Sequence, residues 1–424
     1  MKWVSTRGQS PPISFVDALF AGTAPDGGLY MPERIDPLPP GSLEVIRHAG
    51  IAEIASFVGA HMFQDEMTAA ELQPLVRDAL DFNVPLVPVA DRVWALELFH
   101  GPTLAFKDVG ARVQARLLHH FTDGTPLTIL VATSGDTGSA VAQAFHGVPD
   151  SRVFVLYPEG QVTDVQEAQM ASLGGNVTAV AVRGTFDDCQ RLVKQAFADD
   201  DLRRHVWLTP ANSINLGRLL PQVFYYFLLA KVADPIISVP SGNFGNLTAG
   251  LMAKRMALPV RRFVAATNVN DVVPEYLRTG TYHPRPSVQT VANAMDVGEP
   301  SNFERMRAMY GDDLDRLRQD VAGASFEDAR VTAEIGEVWR RHGYLLDPHG
   351  AIAWLGLQEM MAGDPDAHGV FIATAHPAKF REVVEPAIGE PLTLPPALAA
   401  ALARPRTSVP IDASYPALLD LLRR

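Results

Sequence analysis

Short, unbroken runs of apolar residues are the feature that most limits how this chain can fold. Each run is four to six residues long, is bounded by Gly, Pro, Asn or Ser, and is in most cases followed by apolar residues at helical spacing. Strands buried on both faces of a parallel sheet have this pattern, because neither face needs polar side chains. The runs are 127–132, 153–157, 177–182, 236–239, 263–266 and 370–373. They predict an α/β architecture with parallel sheet.

The rest of the chain divides into regions of different character. Pro and Gly interrupt the first hundred residues, and apolar residues recur between them at helical spacing, as at Ile51, Ile54 and Val58. After Asn270 the pattern becomes polar and helical until about Val331. We predict a mostly helical N-terminal region (1–95), an α/β core (96–270 and 335–390) with a smaller α/β subdomain (about 115–205), a helical insertion (271–334) and a C-terminal tail (391–424).

Length, charge and cysteine content exclude several classes of protein. A chain of 424 residues is long enough for two or three domains. Its formal net charge of −12 argues against nucleic acid as a main partner. The single cysteine, Cys189, excludes an intrachain disulfide and a cysteine-rich metal site. The most apolar stretch, 223–239, is interrupted by Lys231 and Asp234, so we expect no membrane span and a cytoplasmic protein.

Polar turns follow three of the predicted strands, at the positions where open α/β sheets bind ligands. The turns are 133–139, 240–246 and 374–379, and we predict helices that begin after the first two, near Ala140 and near Leu247. Gly242 and Gly245 allow the backbone of the second turn to approach an anion, and the helix that follows supplies free N–H groups. The first turn offers hydroxyl and N–H groups that suit a carboxylate or phosphate. Ordinary strand-to-helix turns have the same composition, so both interpretations stay open for each turn.

Lys107 differs from other lysines of the chain in its neighbours. It follows a Gly101-Pro102 turn and three apolar residues, and it is flanked by Phe106 and Asp108. A partly desolvated lysine has a lowered pKa, as Schiff-base chemistry requires. The alternative is a solvated surface charge, which is the usual state of a lysine.

Six segments together resemble one known family. Residues 99–108 (FHGPTLAFKD) resemble the cofactor-lysine motif of threonine synthases, which are fold-type II pyridoxal-phosphate enzymes. Further segments resemble their counterparts in the same order: 133–138 (TSGDTG), 212–215 (NSIN), 240–246 (PSGNFGN), 266–271 (ATNVND) and 374–380 (TAHPAKF). The matches extend from about residue 5 to 385. The resemblance implies a tryptophan synthase β-like fold, with mostly parallel sheets in two α/β domains.

The resemblance also implies an activity and a cofactor. The reaction converts O-phosphohomoserine and water into L-threonine and phosphate, by γ-elimination followed by β-addition of water. Lys107 would hold pyridoxal 5'-phosphate as a Schiff base and then move protons at the substrate, and Thr374 would face the pyridine nitrogen. The remaining cofactor contacts implied are Asp136, Gly242, Asn243, Phe244, Gly245 and Asn246.

The substrate would need contacts of its own, including a second phosphate site. Ser134 and Thr137 would line the side of the site that takes the substrate carboxylate. The candidates for the substrate phosphate are Asn212, Ser213, Asn215, Arg218 and Lys379. The first four lie at the start of a predicted long apolar helix, 216–229. We expect His100 and His376 to orient loops, because no spacing typical of metal ligands occurs, and we predict no metal site.

Three other functions remain open at this point. A phospho-lyase would release 2-oxobutyrate from O-phosphohomoserine, and a serine or threonine dehydratase would act on an unphosphorylated substrate. A binding protein that keeps the fold without the cofactor would be colourless. No coiled coil or apolar stripe demands association, so a monomer or weak homo-oligomer is expected.

Overall fold

Two mostly parallel sheets form the centre of the structure. The computed structural model describes residues 1–364 and 366–423. The strands are β1 (Trp3–Ser5), β2 (Tyr30–Pro32), β3 (Leu86–Ala90), β4 (Val93–Glu97), β5 (Leu127–Ala132), β6 (Ser151–Pro158), β7 (Val177–Arg183), β8 (Leu208–Pro210), β9 (Ile236–Pro240), β10 (Arg262–Thr267), β11 (Val321–Ser325), β12 (Gly369–Ala373) and β13 (Ser408–Asp412).

Helices surround both sheets. The α-helices are α1 (Phe15–Ala21), α2 (Ser42–Ile46), α3 (Ile51–Met62), α4 (Ala69–Ala79), α5 (Lys107–Phe121), α6 (Asp136–Phe145), α7 (Asp164–Ala171), α8 (Phe186–Ala198), α9 (Asp200–His205), α10 (Leu216–Leu219), α11 (Gln222–Tyr226), α12 (Gly245–Arg255), α13 (Val272–Thr279), α14 (Phe303–Tyr310), α15 (Leu314–Asp320), α16 (Asp328–His342), α17 (Pro348–Met361), α18 (Arg381–Ile388), α19 (Pro396–Ala403) and α20 (Tyr415–Arg423). Short 3-10 helices cover Phe227–Lys231, Asn293–Met295 and Pro377–Phe380.

The large sheet has six strands in the order β11-β10-β9-β12-β4-β3, parallel except for β3 at one edge. The small sheet has five parallel strands in the order β13-β7-β6-β5-β8. A separate antiparallel pair joins β1 to β2. Helix α17 packs against β9, β10 and β12, while α8 packs against β5 and β6. The helices therefore bury faces of both sheets, as their apolar strands require.

All six predicted apolar runs form parallel strands, and the predicted fold class is confirmed. The first run coincides with β5, and the others differ from their strands by two residues at most at either end. Residues of β9 and β12 are buried along the whole strand, as expected for strands covered on both faces.

Three helix boundaries differ from those expected. Helix α6 begins at Asp136 and not near Ala140, and α12 begins at Gly245 and not near Leu247. A continuous helix over 216–229 was also expected, but the segment consists of α10, α11 and a 3-10 turn. Pro221 lies at the break, because a proline has no N–H to donate to the preceding turn.

Two segments contain strands that their composition did not indicate. Within 271–334, expected to be helical, β11 pairs in parallel with β10 beside helices α13, α14 and α15. The C-terminal segment 391–424 adds β13 to the edge of the small sheet and packs α20 against α8. Both are edge strands that alternate buried or half-buried with exposed residues, so they lack an unbroken apolar run. The division of the chain into domains remains a prediction.

Candidate active site

The polar turns meet where the carboxyl ends of the two sheets face each other. In the large sheet β12 lies between β9 and β4, which places the turns after β9 and β12 side by side. In the small sheet β5 and β8 are neighbours, so the turns after them are also adjacent. We call residues 242–246 the glycine turn and residues 212–215 the asparagine turn. Asn243 Nδ2 donates to Ser213 Oγ at 2.5 Å, which connects these two turns across the cleft.

Lys107 lies at the start of α5, beside the turn that follows β12. The Phe106 N–H donates to the Thr374 carbonyl at 2.8 Å, and the His376 N–H donates to the Leu104 carbonyl at 3.0 Å. These two bonds hold the lysine segment against Thr374, which is itself buried. Leu104 has a left-handed backbone, with φ of 58°. The structure thus brings two of the predicted cofactor residues together.

The surroundings of Lys107 lower its pKa to about 8. Burial is the largest cause, because it disfavours the charged amine, and the positive charges of Arg218 and Lys379 act in the same direction. The carboxylate of Asp136 opposes them. A lysine in this state is neutral far more often near pH 7 than a solvated lysine, so its amine is available as a nucleophile or base.

The segment before Lys107 is fixed by Asp108, whose carboxylate binds the preceding turn. It accepts hydrogen bonds from the Thr103 N–H at 2.9 Å and the Thr103 hydroxyl at 2.7 Å. A Cβ at Gly101 would lie 2.5 Å from the same carboxylate, so only glycine fits there. Burial raises the pKa of Asp108 to about 6 although these bonds favour its charged form. Asp108 and Thr103 were not expected as supporting residues, because their pairing depends on the shape of the turn.

The glycine turn has the geometry of an anion cradle. A Cβ at Gly242 would lie 2.7 Å from Met295 Cα, so the backbone passes close to its neighbour. Phe244 has φ of 61°, which turns the chain into α12. The backbone N–H groups of residues 242–247 have no hydrogen-bond acceptor among the described residues. Free N–H groups at the start of an 11-residue helix attract anions.

Asn246 adds a side-chain donor to this cradle. Its Oδ1 accepts from the hydroxyls of Tyr225 and Tyr226, both at 2.7 Å. These bonds leave its buried Nδ2 without an acceptor in the part of the chain that the structure describes. A buried amide donor without a partner is costly, so a bound acceptor would satisfy it.

The turn after β5 presents polar groups and buries one carboxylate. Ser134 is exposed and Thr137 is half-buried, so both side chains are accessible. Asp136 is buried and accepts from Lys379 Nζ at 2.8 Å and from Gln166 Nε2 at 3.1 Å. Burial alone would raise the pKa of Asp136, but the charges of Lys379 and Lys107 hold it well below its usual value.

Lys379 was expected to bind the substrate, but its ammonium is bonded to other residues of the protein. Besides Asp136, its ammonium binds the Thr103 carbonyl at 2.8 Å, and its side chain is fully buried. Lys379 thereby ties the turn after β12 to the lysine segment and to the small sheet. Gln166, the other partner of Asp136, was not expected from the sequence, where it reads as an ordinary helix residue.

The asparagine turn leads into α10, whose first residues were expected to bind the substrate phosphate. Asn212 and Ser213 are half-buried, and Asn212 Oδ1 has no partner among the described residues. Asn215 differs from the expectation: its Nδ2 donates to the carbonyls of Leu19 and Pro210, and its Oδ1 accepts from the Gly217 N–H. The Asn215 side chain therefore stabilises the backbone of the turn and does not face the substrate site.

Arg218 lies under the asparagine turn and close to α5. Its Nη1 donates to the Ala211 carbonyl at 2.5 Å, while its buried Nε has no acceptor in the described residues. A Cβ at Gly110, one turn after Lys107, would lie 3.3 Å from that Nε. Burial lowers the pKa of Arg218 to about 10, a direction that the charge of Asp108 opposes. An arginine with free donors near Lys107 is able to bind an anion there.

The histidines lie at the edge of this site. His100 Nε2 is 2.7 Å from Glu97 Oε2, and the His376 ring packs edge-on against Phe99. Burial lowers the pKa of His376, and nearby His100 contributes in the same direction. No group of three or more possible metal ligands occurs within residues 1–364 and 366–423.

Comparison with known proteins identifies the family. The family model "Pyridoxal-phosphate dependent enzyme" matches residues 82–374, and "Threonine synthase N terminus" and "Threonine synthase, C-terminal" match residues 2–80 and 351–420. The chain is 42% identical to threonine synthase of Escherichia coli strain K12, over 100% of this chain and 99% of that protein. The chain belongs to the threonine synthase family. Threonine synthase of Haemophilus influenzae is 43% identical over 91% of each protein.

Solved structures of threonine synthases have the same fold. The Escherichia coli enzyme has a TM-score of 0.93 at 40% identity and covers 100% of this chain and 99% of its own. A threonine synthase of Brucella melitensis with bound PLP has a TM-score of 0.94 at 37% identity, with the same coverage. A threonine deaminase of Solanum lycopersicum, at 15% identity and a TM-score of 0.56, shares the fold alone. The predicted family and the predicted dependence on pyridoxal phosphate are confirmed.

Proposed function

We propose that this chain converts O-phosphohomoserine and water into L-threonine and phosphate. The observation that carries the proposal is the similarity to threonine synthases over the entire chain, at 42% identity. The structure of a deaminase with the same fold is only 15% identical and covers 75% of this chain, so the match does not extend equally to dehydratases. The polar turns that flank Lys107 also provide two separate groups of anion-binding donors, as a phosphorylated cofactor and a phosphorylated substrate require.

The residues present fit pyridoxal phosphate. The glycine turn offers free N–H groups, Asn246 offers a buried donor without a partner, and Lys107 offers an amine with a lowered pKa. We assign the cofactor phosphate to residues 242–246, the aldehyde to Lys107 and the pyridine nitrogen to Thr374. When bound, this cofactor delocalises the negative charge that develops at the substrate carbons, which simple side chains stabilise poorly.

Lys107 supplies the proton transfers. Its pKa of about 8 lies close to neutral pH, where a group exchanges protons most effectively as both acid and base. With the substrate bound, the Lys107 amine would take a proton from Cα and move protons at Cα and Cβ. The hydrogen bonds from the Phe106 N–H to the Thr374 carbonyl and from the His376 N–H to the Leu104 carbonyl hold this amine beside the turn after β12.

The substrate is held by the turns on the small-sheet side. We assign its carboxylate to the turn containing Ser134 and Thr137, and its phosphate to Asn212, Ser213 and Arg218. Binding energy from a phosphate remote from Cα can hold the substrate in the orientation that elimination needs. The buried pair of Asp136 and Lys379 keeps the two sides of the cleft together and excludes water from their contact. We propose supporting roles, and not direct substrate contact, for Lys379 and Asn215.

We further propose that the enzyme acts in the cytoplasm, as a monomer or weak homo-oligomer, without a nucleic-acid partner. The net charge of −12 supports the last point. The large apolar side chains that are exposed in the described residues are Val45, Trp207 and Val288, which are far apart in the sequence. Single exposed apolar side chains are normal on the surface of a monomer and do not by themselves indicate association. No helix in the described part of the chain has the length and apolar character to cross a bilayer.

Product analysis tests the proposed reaction. Purified protein with pyridoxal phosphate is incubated with O-phosphohomoserine, and threonine, 2-oxobutyrate, ammonia and phosphate are measured. We expect threonine and phosphate in equal amounts, and neither from the Lys107→Ala variant. Release of 2-oxobutyrate and ammonia in place of threonine would assign the chain to the phospho-lyases. Phosphate release that is unaffected by Lys107→Ala would contradict the proposed role of this lysine.

A further inference from the structure

Arg305 is a fully buried arginine that lies outside the predicted site. It belongs to α14, and 0% of its surface is exposed. Its Nε donates to the Tyr30 carbonyl at 3.1 Å, its Nη1 to the Ser213 carbonyl at 3.3 Å and its Nη2 to the Ile214 carbonyl at 2.6 Å. No carboxylate among the described residues forms an ion pair with it. A buried charge without a counter-ion is costly, so this arrangement requires a reason.

The contacts of Arg305 fix the orientation of the asparagine turn. In a planar trans peptide, the carbonyl of one residue and the N–H of the next point in opposite directions. Because the Ser213 carbonyl faces Arg305, the Ile214 N–H points away from it. That N–H has no acceptor among the described residues, and Ile214 itself is half-buried. Arg305 therefore holds the turn with a free donor on its opposite side.

The start of α14 also connects the asparagine turn to the glycine turn. Asn302 donates from Nδ2 to the Ser213 carbonyl at 3.2 Å and accepts from Arg305 Nη1 at 2.6 Å. Asn243 donates to Ser213 Oγ at 2.5 Å and accepts from the Ser301 N–H at 2.6 Å. One short segment thus supports both turns from behind. A change in its position would move the two anion-binding groups relative to each other.

We propose that Arg305 is a positioning residue for the substrate phosphate. It holds the asparagine turn with the free Ile214 N–H and the Ser213 hydroxyl facing that phosphate. It also places a positive charge behind the turn, without an ion-pair partner among the described residues. The proposal rests on the proposed function, in which O-phosphohomoserine supplies the phosphate. Arg305 acts through the turn and not by contact, since its donors are occupied by Tyr30, Asn302 and the turn itself.

The test compares three variants of the holoenzyme. Arg305→Met removes the charge and the donors, and Arg305→Lys keeps the charge but loses the planar fork. Arg307→Lys is the matched control, because Arg307 lies on the same helix but is half-buried, with a side chain 42% exposed, and forms its ion pair with Asp312. Three quantities are measured: the KM for O-phosphohomoserine, the Kd for inorganic phosphate by calorimetry, and the bound cofactor by its visible absorbance.

We expect Arg305→Met to raise both KM and Kd by about tenfold to a hundredfold, the size of effect that a misplaced binding group produces. Arg305→Lys should raise KM and Kd by a smaller factor, since the positive charge behind the turn remains. Arg307→Lys should change neither, and each variant should retain its cofactor. A purely structural role for Arg305 would lower the amount of folded protein without changing the Kd of the folded fraction.

Several results would overturn the proposal. One is a Kd for inorganic phosphate that is unchanged in Arg305→Met, and another is loss of cofactor with phosphate affinity preserved. Failure of both Arg305 variants to fold would assign the residue to folding alone. If the wild-type holoenzyme makes no threonine, the proposed function fails, but the phosphate Kd of the variants still decides the role of Arg305.

Discussion

Replacement of Asp136 by asparagine should destabilise the protein strongly. Asp136 and Lys379 form a buried ion pair at 2.8 Å, with side chains 4% and 0% exposed. Asparagine keeps the size of the side chain but leaves the buried Lys379 ammonium without its ion-pair partner. Removal of one partner from a buried pair costs about 3–5 kcal/mol in the free energy of unfolding. We expect Lys379→Met to cost a similar amount, because it strands the carboxylate instead.

The double variant separates the ion pair from other effects. With Asp136→Asn and Lys379→Met together, neither member of this pair is left as an unpaired charge, so the loss should be smaller than the sum of the single losses by at least about 2 kcal/mol. The assay is urea unfolding at pH 7, followed by circular dichroism. The pKa of Asp136 is lower in the folded protein than in the unfolded chain. The stabilisation from the pair is therefore complete above about pH 4 and is lost as the pH falls through the folded-state pKa. Single variants within about 0.5 kcal/mol of wild type, or strictly additive losses, would refute this reasoning.

Three other predictions follow from single residues. The rate at which the apoprotein captures pyridoxal phosphate should be half-maximal near pH 8, the lowered pKa of Lys107. With this pKa the Lys107 amine is neutral about 300-fold more often at pH 7 than the amine of an ordinary lysine. The rate is measured by stopped-flow absorbance, and a midpoint near pH 10.5 would contradict the prediction. Gly242→Ala should weaken cofactor binding about tenfold or more in a spectrophotometric titration, because the new Cβ would lie 2.7 Å from Met295 Cα. The control is Gly363→Ala, whose Cβ would have no neighbouring atom nearer than 3.8 Å, and this variant should bind the cofactor normally. Asn215→Ala should lower the free energy of unfolding by about 2–3 kcal/mol through loss of its three hydrogen bonds, and an unchanged urea midpoint would show that these bonds contribute nothing.

The central strands could be predicted because a strand buried on both faces appears in the sequence as a short, mostly apolar run. The run 236–239 is apolar except for Ser238, and the turn after it carries Gly242, which the close approach to Met295 requires. Since the carboxyl ends of parallel strands share an edge, the grouping of the turns followed from the strands. Strands β1 to β4, the short strand β8 and the edge strands β11 and β13 were missed, because most of them are short or of mixed sequence.

The supporting residues could not be predicted because their partners are distant in the sequence. Arg305 and Arg307 lie on one helix and look alike in the sequence, yet Arg305 is fully buried and the Arg307 side chain is 42% exposed. Arg305 binds Tyr30 and Ser213, which are 275 and 92 residues away. Lys379 was expected to bind the substrate, but it forms an ion pair with Asp136. This pairing was not predicted because the two residues are distant in the sequence. Such contacts depend on how the two sheets are brought together.

The covalent site of the cofactor tests the account most directly. The holoenzyme is reduced with borohydride and digested, and the modified peptide is identified by mass spectrometry. We predict a single pyridoxyl-phosphate adduct on Lys107, in the peptide that contains Phe106 and Asp108, and none in Lys107→Ala. An adduct on another lysine, such as Lys379, or the absence of any adduct in protein that still makes threonine, would contradict the assignment of this site.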